Sequence, residues 1–439
     1  MALIDHVLEA IKTSTEDEYI RKVGRVCRVI GLMIESTGPN AFIGERCLIE
    51  LPSGQHVEAE VVGFNEARVL LMPYGETTQI APGCMVKGTG RMLQVPVGDE
   101  LIGQVLDGLG RPLSGEGIPA GARYDVLRKP PNPLERPRIL DVLSTGVRVI
   151  DGLLTVGKGQ RVGLFAGSGV GKSTLLGMIA KRSSADINVI ALIGERGREV
   201  KEFIEKELGP EGMARSVVIV ATSDQPPLVR LKGAYTATAI AEYFRDQGKE
   251  VVLMMDSVTR FAMAQREIGL ATGEPPTSKG YTPSVFAMLP QLLERSGTAT
   301  TGSITAFYTV LVDGDDMNEP IADAVRGILD GHFVMDRSLA NRGQFPAIHV
   351  LKSISRVMNQ IAAPTHREAA QTFRGWLATY LDAEDLINIG AYKKGTNPAI
   401  DTAIEQYPEL LTFLKQSIEE EAPLETSLER LAKIVRGEP

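Results

Sequence analysis

Residues 166–174 read Ala166-Gly167-Ser168-Gly169-Val170-Gly171-Lys172-Ser173-Thr174. This is a phosphate-loop pattern, with Ala166 in a first position where glycine is commoner. Its glycines let consecutive backbone N–H groups wrap a β-phosphate at the positive end of the helix that follows. Ser168, Gly169, Val170, Gly171 and Thr174 would form the cradle. Lys172 adds a mobile cation for the β- and γ-phosphates, and Ser173 offers a hydroxyl to Mg²⁺. The flanks agree with that reading. The apolar run Arg161–Phe165 enters as a strand and Thr174–Ile179 leaves as a helix. A chance glycine-rich turn does not bring both flanks with it, so the implied ligand is ATP with Mg²⁺.

Outward from the loop, apolar runs alternate with helical spacing. Candidate strands are Arg161–Ala166, Asn188–Ile193, Ser216–Ala221, Glu250–Asp256 and Ser303–Val310, with helices at Lys172–Arg182, Val200–Leu208, Leu228–Asp246 and Ser284–Glu294 between them. Such alternation predicts an α/β fold with a parallel sheet covered on both faces. A carboxylate that ends a buried strand of this kind faces the ligand crevice. Asp256, after Val251-Val252-Leu253-Met254-Met255, is the candidate metal-side acid; a helix cap before Ser257 is the plainer alternative. Gly194-Glu195-Arg196-Gly197-Arg198-Glu199 follows another strand directly. Glu195 could hold the attacking water, with Arg196 or Arg198 on phosphate oxygens. The same residues equally suit a charged first helical turn.

The flanking regions carry less chemistry. Leu3, Ile4, Val7, Leu8 and Ile11 lie at helical spacing, which predicts an amphipathic helix within 1–20 that packs on its own domain or holds a partner. From 21 to 92, short β-rich runs (Val26–Ile34, Glu45–Glu50, His56–Gly63, Arg68–Leu71, Met85–Leu93) predict a small barrel or sandwich. Residues 128–139 are proline-dense, hence extended, and composition alone would make them a linker. After about 360 no strand runs appear, and the acids Glu419–Glu421 read as solvated surface.

Composition excludes more than it assigns. With 47 Lys and Arg against 55 Asp and Glu, the formal net charge of −8 argues against a phosphate-neutralising nucleic-acid binder. Cys27, Cys47 and Cys84 have no metal spacing and suit a reducing compartment. No signal peptide or membrane-length apolar run is evident, which leads us to expect a soluble cytoplasmic protein. The 45 glycines exceed the average share, which suggests loops that bring bare backbone to a ligand.

Together, Ala166–Thr174, Gly194–Val200, Met254–Arg260 and Val350–Val357 resemble the rotary and secretion ATPase family, whose catalytic cores are related to the F-type β subunit. Gly194–Val200 and Asp313–Ile321 look most like the type III export ATPases, and within these the flagellar branch. The resemblance covers nearly the whole chain. It implies a RecA-like P-loop core over 93–360, an N-terminal β-barrel over 21–92 and a C-terminal helical domain over 361–439. The proline-dense segment would then run along the nucleotide domain. By the same resemblance Glu195 activates water, Arg196 and Arg260 lie near the γ-phosphate, and Arg356 is an arginine finger for the neighbouring subunit. Phe345 stands where a tyrosine usually stacks on adenine, and its flat apolar face preserves that use.

The implied function is ATP hydrolysis that energises flagellar protein export by releasing chaperones and unfolding substrates. Injectisome service, an ion-driven synthase subunit, a nucleotide-binding regulatory ring subunit and an RNA-translocating helicase are the alternatives. Lys172, Glu195 and Arg356 on one chain favour a homohexamer, because a heteromeric ring would not need all three in one subunit. Further implied partners are a stator-like regulator at the N-terminal helix, a central stalk protein, a membrane export gate and chaperone–substrate complexes. Nucleic acid is not expected among them. The expected location is the cytoplasmic face of the export apparatus.

Overall fold

The computed structural model describes residues 23–113, 117, 121–312 and 316–438; the expected helix within 1–20 lies outside the described residues. The chain begins as a closed barrel whose strands run in the order Val23–Ile30, Met33–Ser36, Arg68–Pro73, His56–Asn65, Arg46–Glu50 and Met85–Gly88. Alternate residues point inward, so Val26, Ile34, Cys47, Ile49, Val61, Leu71 and Val86 fill the interior. Closure leaves no exposed sheet edge. The run read as Val26–Ile34 is two strands, because Gly31 turns the chain with φ of 56°. The run begun at Met85 ends at Gly88 rather than Leu93.

The nucleotide-domain sheet has nine strands among the described residues. Their order is Ile354–Ser355, Gly331–Met335, Arg161–Ala166, Ser303–Leu311, Glu250–Asp256, Ile187–Ile193, Ser216–Ala221 and Val105–Asp107, with Gly297–Thr298 pairing off that path. The strands from Gly331–Met335 to Val105–Asp107 are parallel, and Ile354–Ser355 runs antiparallel to its neighbour. Helices cover both faces, so the central strands are predominantly apolar; Ile187–Ile193, for instance, is buried at every residue, with Asn188 its one polar side chain. Four strands of this sheet were not expected from sequence: Val105–Asp107, Gly297–Thr298, Gly331–Met335 and Ile354–Ser355.

The proline-dense stretch is held against this core. Arg128 pairs with Asp246 at 3.3 Å, and Arg136 Nη1 donates to the Ser296 carbonyl at 2.9 Å. The barrel is tied down by Lys232, buried in an ion pair of 2.7 Å with Glu60. Helices Pro364–Asn388, Pro398–Leu414 and Leu424–Arg436 form the C-terminal part. Phe373, Phe413 and Leu431 join its core to Val149, Ile150 and Leu153 of the nucleotide domain. Among the described residues no helix is long and apolar enough to cross a membrane.

Candidate active site

The parallel sheet brings its carboxyl ends together beside the phosphate loop. Strand Arg161–Ala166 leads into the loop, and Gly171, at φ 85°, caps helix Lys172–Arg182 in a conformation that side chains disfavour. Ser168 and Gly169 are exposed on the loop crest, Val170 is buried beneath it, and Ser173 is exposed at the pocket wall. Two strands away, Asp256 ends Glu250–Asp256 and faces the same space. Gly194 closes Ile187–Ile193, where a Cβ would stand 2.9 Å from Arg260 Cβ, so glycine is what lets Glu195 and Arg260 share one corner.

These groups surround a cavity of about 480 Å³, lined by Gly167–Gly169, Gly171–Thr174, Glu195, Arg196, Asp256 and Arg260, with Glu199, Glu202, Phe203 and Glu207 on its outer wall. Lys172 Nζ contacts Asp256 Oδ1 and lies 3.6 Å from Glu195 Oε1. The three side chains are only 13, 5 and 16 % exposed, for Lys172, Asp256 and Glu195 in turn. Burial disfavours the Lys172 ammonium, but Asp256 and Glu195 outweigh it, and its pKa ends above the ordinary lysine value. Burial, followed by the like charge of Asp256, pushes Glu195 up to about 7 despite the opposing pull of Lys172. A carboxyl near 7 exchanges protons readily at neutral pH.

Two features fit a phosphorylated, metal-bearing ligand. Arg260 Nε is buried without a hydrogen-bond partner, so an acidic ligand oxygen would satisfy it. Ser173 and Asp256 are hard oxygen donors and too few for an all-protein cage. Mg²⁺ binds in this way, keeping waters and phosphate oxygens as its remaining ligands. Arg196 stands at the mouth with its side chain 81 % exposed and, among the described residues, Glu199 as its one ion-pair partner at 3.3 Å.

Phe345 is 47 % exposed, and a Cβ on Gly171 would lie 3.5 Å from its ring. Its ring thus borders the phosphate loop. It also opens onto an adjoining cavity of about 460 Å³ with Arg148, Thr412, Lys415 and Gln416. An aromatic face placed there can take a base whose phosphates lie in the loop.

Arg356 is not brought to this pocket. It follows Ile354–Ser355, and Ser355 pairs with Gly331 at the amino end of Gly331–Met335; Ala166, which enters the loop, pairs with Met335 at the other end. Arg356 is exposed, with Nη2 only 3.4 Å from the Arg326 carbonyl. Sequence reasoning also missed Thr309, a buried threonine whose hydroxyl lies 2.8 Å from Asp256 Oδ1. The available signal was a threonine inside the buried run Phe307–Val310.

Comparison with known proteins agrees with this architecture along the chain. The family model for the ATP synthase alpha/beta family nucleotide-binding domain matches residues 146–355, and that family's beta-barrel domain matches 26–90. The type III secretion ATPase C-terminal domain matches 362–433. A flagellum-specific ATP synthase of Bacillus subtilis is 64% identical over 425 residues, covering 96% of this chain and 97% of that protein. The assembled ATPase EscN of the enteropathogenic E. coli type III secretion system superposes with a TM-score of 0.90 at 47% identity, covering 94% of this chain and 100% of that one. EscN in complex with its central stalk EscO gives 0.87 at 46% identity, with the same coverage.

Proposed function

We propose, for a chain that belongs to the ATP synthase α/β family and within it to the flagellum-specific and type III secretion ATPases, that it works as a Mg²⁺-dependent homohexameric ring energising flagellar protein export. The chain is an ATPase, and type III export is its family's setting. The ring, the flagellar assignment and the individual residue roles make up the proposal.

One observation carries it. Lys172, Glu195 and Asp256 converge on one cavity, whereas Arg356 sits at the opposite end of the sheet and faces outward. A charge-stabilising arginine in that place serves a neighbouring copy. An apolar surface supports such docking: Ile139 and Leu140 line a shallow cavity with Val357, the residue after Arg356, and Leu140 is 72 % exposed. EscN, which assembles and binds a central stalk, gives the precedent for self-association and a stalk partner.

In this reading Ser168–Thr174 bind the phosphates, with Lys172 and Arg260 adding fixed positive charge and Arg196 closing from the mouth. Glu195 orients and deprotonates the attacking water. Ser173 and Asp256 would hold Mg²⁺, which when bound would supply positive charge beside the phosphates. Phe345 stacks on adenine. A stator-like regulator, an export gate and chaperone–substrate complexes would complete the apparatus at the cytoplasmic face of the membrane. The 64% identity to a flagellum-specific relative, against 47% to EscN, favours the flagellar system over an injectisome.

Deletion of the gene tests the assignment. The expected result is loss of flagellar filaments and motility, restored by the wild-type gene and not by Glu195→Gln. Normal motility with loss of effector secretion would instead assign the chain to an injectisome.

A further inference from the structure

Between the phosphate-loop strand and the Asp256 strand runs Ser303–Leu311, Ser-Ile-Thr-Ala-Phe-Tyr-Thr-Val-Leu, buried at every residue but the last. Hydroxyls in such a strand need partners, because a buried hydroxyl without one is costly. Thr305 Oγ1 accepts from the Gly159 N–H at 2.8 Å, and Tyr308 donates to Ser296 Oγ at 3.0 Å. Thr309, fully buried, has its hydroxyl 2.8 Å from Asp256 Oδ1 and 3.3 Å from the Met255 carbonyl. One hydroxyl proton serves one acceptor at a time, and the shorter bond to a carboxylate is the stronger. The register explains the meeting: Met255 pairs with Tyr308, so Thr309 comes level with Asp256.

We propose that Thr309 is a positioning residue of the Mg²⁺–nucleotide site, whose hydroxyl fixes the orientation of the Asp256 carboxylate. The inference rests on Asp256 being the metal-side acid. Lys172 touches the same oxygen, but it sits on a long flexible stem and is also needed by phosphates. Thr309 is locked in a central strand between two paired neighbours and has no such second duty. Valine would satisfy the strand equally well, since β-branching and shape are shared. What threonine adds at this place is the donor. Groups that orient metal ligands from behind typically contribute 10–100-fold to metal affinity or activity.

The test titrates the full chain with fluorescent methylanthraniloyl-ADP, first in EDTA and then across a Mg²⁺ series. Wild type is compared with Thr309→Val, Thr309→Ser and Thr309→Ala. In EDTA all four should bind with the same affinity, because the hydroxyl touches Asp256, the metal-side acid, and none of the groups assigned to the phosphates or the base. The Mg²⁺ concentration that half-saturates the enhanced binding should rise ~10-fold or more in Thr309→Val and Thr309→Ala, and stay near wild type in Thr309→Ser. Thr309→Val behaving as wild type would overturn the proposal. So would Thr309→Ser failing like Thr309→Val, or a loss already present in EDTA, since either would reveal packing instead of positioning. A wild type whose binding ignores Mg²⁺ would overturn the metal role of Asp256 itself, and Thr309's with it.

Discussion

At the carboxyl end of the sheet Lys172, Glu195 and Asp256 turn toward one another in a buried cluster. At its amino end Arg356 turns away from its own chain, with one long backbone contact. The first region is complete within one chain. Its charges are desolvated and mutually held, so little reorganisation is left for the moment of reaction. The second region has no such enclosure. Its arginine is exposed, and Ile354, two residues before it, is apolar and also exposed. On the proposed reading, the difference assigns binding and water activation to the single chain and the last stabilising charge to an interface.

The largest effect should come from the outward-facing region. Arg356→Ala is expected to lower kcat by ~10³–10⁵ while leaving nucleotide affinity near wild type. Mixing it with Lys172→Ala should recover part of the turnover, because mixed interfaces unite an intact loop with an intact arginine. Absence of recovery would break the contrast. Within the cluster, Glu195→Gln should lower kcat by ~10²–10⁴ and still bind ATP, as measured by equilibrium dialysis. Lys172→Ala should weaken binding itself. If both simply abolished binding, the assignment of Glu195 to water activation would be wrong.

A smaller effect is expected at the base-binding edge. Phe345→Ala should weaken ATP binding by ~10-fold, in line with the loss of one base–aromatic stack, and Phe345→Tyr should preserve it. The smallest is a pH effect on stability. The native pKa of Glu195 is raised to about 7, so the folded state holds a proton that the unfolded state releases. Its favourable contribution is therefore full below the ordinary glutamate range and is lost as pH rises through about 7. Glu195→Gln does not titrate, so its melting temperature relative to wild type should climb by a few degrees between pH 5 and pH 8. A difference independent of pH would mean that burial does not govern this carboxyl.

Much of the cluster could be read from sequence because its signals are local. Glycines that allow close backbone approach, and an acid ending an apolar run, announce Gly171, Lys172 and Asp256 without knowledge of the fold. The strands that escaped notice are short or lie at the sheet's margin; Ile354–Ser355 has two residues and Val105–Asp107 three. Too few side chains alternate in them to produce a period. Thr309 was hidden for another reason. Its meaning depends on the register between two strands whose sequences are about fifty residues apart. Arg356 was singled out only through family resemblance, since its outward position follows from antiparallel pairing that no neighbouring residue signals.

The central claim is that one chain holds an incomplete site. The most direct measurement is specific ATPase activity across a protein-concentration series, with ring assembly followed in parallel by analytical ultracentrifugation. Activity per chain should be low for the monomer, rise with the ring fraction and level off when assembly is complete. Specific activity that stays constant down to the monomer would contradict the account.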